Sequence, residues 1–160
     1  MTNNTEVRFL EGVHKLTTSI AKVKNLYNVT ITGFRSSSSL HKTVSEGLQQ
    51  PISIIDCKTS VPSGFVFINS SKLLLKNIGL ESCGANISVH YGMYSAVAAL
   101  SFQTGSNIQL HRIVVNNTRG FGLHSSDVFD SFLITESAFL RSKGQKSGPK
   151  SGGNARFWFG

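Results

Sequence analysis

Only eight carboxylates serve this 160-residue chain: Glu6, Glu11, Glu46, Asp56, Glu81, Asp127, Asp130 and Glu136. Cleavage of a glycosidic bond uses two carboxyl groups, one as acid and one as base or nucleophile. The one close aspartate pair is Asp127-x-x-Asp130, with His124 and Arg119 just upstream. These four residues are the candidates for acid–base chemistry. Yet both aspartates fall in the stretch between Leu123 and Phe132, where Asp also serves the hydrogen bonds of an ordinary turn. The turn is the preferred reading.

Other chemistry finds less support. His14, His41, His90, His111 and His124 are scattered, with no pair at metal-ligand spacing, and no glycine-rich phosphate loop precedes a helix. His124-Ser125-Ser126 places a histidine beside hydroxyls, but neighbours on a strand face opposite ways and no orienting acid accompanies them. No metal or other cofactor is expected. The two cysteines, Cys57 and Cys83, are 26 residues apart and fit either a disulfide between stacked strands or a pair of free thiols. Asn-x-Ser/Thr occurs at Asn3, Asn28, Asn69, Asn86 and Asn116, against about two expected by chance from this composition. Glycans at these sites, or asparagine-rich turns, both account for the excess.

The elements that would position these residues are short runs of alternating apolar residues. Leu100-x-Phe102, Ile108-x-Leu110 and Ile113-x-Val115 return in the same order as Phe121-x-Leu123, Phe132-x-Ile134 and Ser137-x-Phe139. Each run has the period of a half-buried strand and is too short for a helix. One column reads Val29-x-Ile31, Ile52-x-Ile54, Ile78-x-Leu80, Ile113-x-Val115 and Ser137-x-Phe139. Its central residues are separated by 23, 26, 35 and 24 positions, the 35 being one period with an insertion. A second column reads Phe65-x-Phe67, Leu100-x-Phe102, Phe121-x-Leu123 and Phe157-x-Phe159, and a third Leu73-x-Leu75, Ile108-x-Leu110 and Phe132-x-Ile134. Three short strands per coil of about 24 residues describe an all-β, right-handed parallel β-helix. Ile31, Ile54, Leu80, Val115 and Phe139 are then expected to stack inward. Hairpins in a β-sandwich would also give short, evenly spaced strands, but would not hold three columns in register.

Residues 1–160 read as one β-helix segment of a longer protein, cut at both ends, with loops at 35–50, 84–95 and 143–153. The units NLYNVTITGF, SGFVFINSSKLLLKNIGLESCG, AALSFQTGSNIQLHRIVVNNTRGFGL and GGNARFWF resemble the repeats of right-handed parallel β-helix proteins with a pectin-lyase-like fold. Among these they are most similar to large invertebrate surface proteins. The resemblance implies a coil rather than a reaction, since the fold hosts lyases, hydrolases, epimerases and non-enzymes alike. The polygalacturonase patterns, an Asn-Thr-Asp segment followed by an Asp-Asp pair and a His-Gly, are absent.

Sixteen Lys and Arg against eight acids give a net charge of +8, and after Glu136 there is no acid while Arg141, Lys143, Lys146, Lys150 and Arg156 follow, three of them in the basic 143–153 loop. Aromatic residues are not interleaved with the basic ones except at 156–159, so nucleic acid is not an expected partner. No apolar run is long enough to span a membrane. An extracellular or cell-surface protein is expected, with a binding or structural role toward glycans or other surface proteins. The alternative is a carbohydrate-active enzyme, a polysaccharide lyase or hydrolase, whose site lies partly outside this chain.

Overall fold

A computed structural model describes residues 3–16, 23–34, 51–58, 63–83, 98–118, 120–142 and, for their backbone, 155–159. The expected loops at 35–50, 84–95 and 143–153 lie outside the described residues. Ten strands form one sheet: β1 (Thr5–Arg8), β2 (Gly12–Lys15), β3 (Val23–Lys24), β4 (Tyr27–Thr32), β5 (Ser53–Asp56), β6 (Phe65–Glu81), β7 (Ala98–Asn116), β8 (Phe121–Thr135), β9 (Ser137–Ser142) and β10 (Ala155–Phe159). The described residues contain no helix. Pairing is parallel along β1-β4-β6-β7-β8 and along β2-β5-β6-β7-β9, so the chain returns over itself in layers and the sheet curls.

The curl has a backbone cause. β6 and β7 run 17 and 19 residues, and at each bend the ladder skips a single residue in the left-handed region. These residues stack from layer to layer. Asn25, Asn69, Thr104 and Asp127 form one corner; Asn4, Asn28, Lys72, Asn107 and Asp130 a second; Asn77, Arg112 and Glu136 a third. Ser82, Asn117 and Arg141 make a fourth. Asparagine recurs because its short polar side chain tolerates positive φ and bonds locally. Here it also bonds vertically: Asn28 Nδ2 donates to Asn4 Oδ1 at 2.9 Å, and Asn69 Nδ2 to Asn25 Oδ1 at 2.8 Å.

Between corners, alternate residues turn into one core. Val29, Leu73, Ile108 and Phe132 form one ladder, with Val7, Ile31, Leu75, Leu110 and Ile134 beside it. Ile55, Leu80, Val115 and Phe139 form another. Phe67 stacks on Phe102 with ring centroids 5.3 Å apart, and Phe132 meets Phe102 edge-on at 5.5 Å. Each such aromatic pair adds about 0.5–1.5 kcal/mol beyond area burial.

Three details correct the sequence reading. Ile31 pairs with Leu75, in the third column, rather than stacking with Leu80. Ile54 faces Gly79 on the outside, and Ile55 takes the inward place opposite Leu80. The parity is set by Ser53, whose buried hydroxyl accepts from Phe34 N at 2.8 Å and donates to Leu10 O at 2.7 Å. With Ser53 inward, Ile55 and Cys57 follow; a slip of one residue exchanges the faces of a strand. Finally, β10 does not restart the second column in parallel but pairs antiparallel with β9, Phe157 opposite Phe139. Antiparallel pairing needs only a reversal of the chain, whereas parallel pairing needs a full crossover.

Adjacent residues at one corner should respond in opposite directions. Thr104 is β-branched at φ 56°, so Thr104→Asn should raise stability by about 1 kcal/mol in urea unfolding. Gly105 follows it, and a Cβ there would be driven into the Ser70 carbonyl. Gly105→Ala should therefore lose roughly 3 kcal/mol or more.

Candidate functional site

The four residues proposed for acid–base chemistry are not gathered into one constellation. Asp127 and Asp130 are both exposed, at φ 52° and 66°, and each is the last residue of a different corner ladder. β8 carries a bulge between them and Phe132, and Ser131 Oγ donates to Asn107 Oδ1 at 2.9 Å across it. His124 pairs in register with Ser101, and its Nδ1 lies 3.3 Å from the buried Ser101 Oγ. Among the described residues no hydrogen bond or ion pair joins His124 to either aspartate; Arg119 lies outside them. Desolvation by burial pushes the His124 pKa below its ordinary value of 6.5.

The other histidines have local partners. His14 Nε2 is 2.9 Å from Leu10 O, and His111 Nδ1 is 2.9 Å from Thr135 Oγ1. His41 and His90 lie outside the described residues. No group of three or more His, Cys, Asp or Glu that could hold a metal occurs among the described residues.

Cys57 and Cys83 are joined by a disulfide with Cα atoms 4.8 Å apart. Both cysteines lie just past the last register pair of β5 and β6, Asp56 opposite Glu81. Cys57 precedes its left-handed residue, Lys58, while Cys83 follows Ser82, and their Cα separation is that of neighbouring layers. Of the asparagines in Asn-x-Ser/Thr motifs, Asn3, Asn28 and Asn69 are exposed, Asn116 is half-buried, and Asn86 lies outside the described residues. Asn28 and Asn69 are corner residues whose side-chain amides already serve the ladder.

A cleft that the motif search did not find lies on the outer face of β5, β6 and β7. It is lined by Pro51, Ile54, Gly79, Leu80, Glu81, Val114 and Asn116. Ile54, Gly79 and Val114 share one outward ladder, and Asp56, Glu81 and Asn116 the next. Asn117 Nδ2 donates to Glu81 Oε1, whereas Asn116 Oδ1 is cut off from solvent with no partner. Leaving a buried acceptor unpaired costs about 1–3 kcal/mol. The sequence signal was Gly79 on an outward column flanked by larger residues, but it is legible only once the parity of Ile54 is known.

Comparison with protein-family models, with curated proteins and with solved structures gives no match.

Two measurements follow from this geometry. A disulfide spanning 26 positions restrains the unfolded chain by roughly 3 kcal/mol, so Cys57→Ser with Cys83→Ser should lower the unfolding free energy by about that amount. For His124, folding favours the neutral ring, so below pH 6.5 the unfolded chain binds more protons than the folded one. Its contribution is complete above pH 6.5 and is lost as pH falls toward the depressed folded pKa. The melting temperature of His124→Gln should accordingly fall less steeply than wild type on acidification below pH 6.5.

Proposed function

We propose that the curled parallel sheet is a right-handed parallel β-helix with three short strands per coil, acting outside the cell or at its surface as a binding or structural module toward glycans or other surface proteins. The coil is supported by the repeat of side-chain contacts: Asn4–Asn28, Asn107–Ser131, His111–Thr135 and Arg112–Glu136 are each separated by 24 residues. A non-catalytic role is carried by one observation. Asp127 and Asp130 occupy the corner positions that Asn25 and Asn69, and Asn4, Asn28 and Asn107, occupy in other layers. A corner is sufficient reason for an aspartate at each of these two sites. An oxidising compartment is supported by the Cys57–Cys83 bond, and the exposed Asn3 suits an extracellular surface.

The test is the double variant Asp127→Asn with Asp130→Asn, which keeps corner geometry and removes the charge that proton transfer needs. Its unfolding free energy should stay within about 0.5 kcal/mol of wild type. Polyuronate and neutral polysaccharide digests should look alike for both proteins. Depolymerisation by wild type that vanishes in the folded double variant would overturn the non-catalytic reading.

A further inference from the structure

The outer cleft of β5, β6 and β7 carries one carboxylate, Glu81, and one carboxamide, Asn116. Backbone groups beside it are committed to the sheet: Cys57 N donates to Glu81 O and Ser82 N to Asn116 O. Glu81 presents a carboxylate of which one oxygen, Oε1, is taken by Asn117. Asn116 presents an amide oxygen that no donor satisfies among the described residues. The terminal amide torsion is broad, so a modest rotation turns this oxygen into the cleft. Lys15 and Asp56 continue the same outward ladder, Lys15 opposite Asp56 and Asp56 opposite Glu81. The Asp56 carboxylate turns back to accept from Lys58 N at 2.9 Å.

The floor is apolar. Ile54, Gly79 and Val114 stand in register, and Pro51 and Leu80 complete the lining. Gly79 recesses the middle, since a Cβ there would sit 3.3 Å from Ile54 Cγ1. A carboxylate beside an unpaired acceptor selects a cation that carries N–H donors; a recessed hydrocarbon floor selects an apolar stem. Glu81 and Asn116 are register partners, so their acceptors belong to neighbouring strands about 4.8 Å apart. One ammonium nitrogen placed between them reaches both at about 2.8–2.9 Å, the charge-assisted range. A guanidinium fork would want both carboxylate oxygens, and Oε1 is already engaged.

We infer that the cleft between Ile54, Gly79 and Val114 on one side and Glu81 and Asn116 on the other is a binding site for a protonated primary amine carried on an apolar chain. The inference goes beyond the surface-module reading and does not depend on it.

The experiment is an amide chemical-shift titration of the full 160-residue chain with n-butylammonium. Saturable shifts centred on Gly79, Glu81, Val114 and Asn116 are expected, with a Kd on the order of 1 mM. Butyltrimethylammonium has the charge and the stem but no N–H donor, and should bind about tenfold more weakly. Glu81→Gln is isosteric and still accepts from Asn117; it should weaken binding by about tenfold with its amide dispersion unchanged. Gly79→Ala, which fills the floor, should abolish the shifts. Should Gly79→Ala unfold the chain, Glu81→Gln and the trimethyl probe decide the matter alone. The proposal is overturned by equal binding of the two cations, by Glu81→Gln binding like wild type, or by shifts spread equally over Asp127, Asp130 and Glu136.

Discussion

Everything in this chain depends on turning a corner with one residue while keeping a parallel ladder in register. Among the described residues, sixteen non-glycine residues hold φ between 46° and 66°, where only a few per cent of such residues ordinarily lie. Each costs about 1–2 kcal/mol in isolation. The cost is tolerable because a single left-handed residue swings the strand and the ladder resumes in register on its far side, as in β6 and β7. Side-chain bonds between corners of successive layers return part of it. Asn28 to Asn4, Asn69 to Asn25 and Arg112 to Glu136 run along the stacking direction rather than along the chain.

Hydroxyls next to the corners do a second job. Ser70 and Ser137 are buried, and each follows a left-handed residue. Ser70 Oγ accepts from Leu26 N and donates to Ile68 O; Ser137 Oγ accepts from Ile113 N and donates to Thr135 O. Each therefore supplies a partner to a backbone N–H of the neighbouring layer that the ladder leaves behind at the bend. Where the neighbouring backbone comes closer, the residue is Gly105, beneath which the Ser70 carbonyl leaves no room for a side chain. Apolar ladders then fill the interior. Corners fix the register, and register decides which apolar residues meet.

That ordering explains what the sequence disclosed. Period-2 alternation and recurrence near 24 residues disclosed parallel layers and most core ladders, because Phe67–Phe102 and Leu75–Leu110–Ile134 follow directly from the spacing. Parity at Ile54-Ile55 was not legible. Either isoleucine serves as a core residue, and the choice rests on the Ser53 hydroxyl reaching Phe34 N and Leu10 O, 19 and 43 residues away in sequence. Nor was Ile31 placed in its true column, since alternation looks the same in all three. Asp127-x-x-Asp130 resembled a catalytic pair for a related reason. The corner spacing that puts Asn25 before Asn28 and Asn69 before Lys72 puts two acids three residues apart on β8. At Asn28 and Asn69 the corners also contribute to the excess of Asn-x-Ser/Thr motifs.

The acids therefore separate by position rather than by proximity in sequence. Asp127, Asp130 and Glu136 sit at left-handed corners, where backbone conformation already accounts for a short or polar side chain. Asp56 and Glu81 do not: they are the outward-facing last residues of β5 and β6, opposite one another in register, in a chain with twice as many basic residues as acidic. Asp56 serves the bend itself by accepting from Lys58 N, whereas an outward strand position imposes no demand for an acid at Glu81, and β-propensity disfavours it there. Glu81 further borders a recess made by Gly79 and an amide oxygen left without a donor. Each of those features is unfavourable for folding, through lost packing at the glycine and lost hydrogen bonding at Asn116. Three locally unfavourable choices converging on one cleft are what a recognition surface requires, and the corner acids show no such convergence.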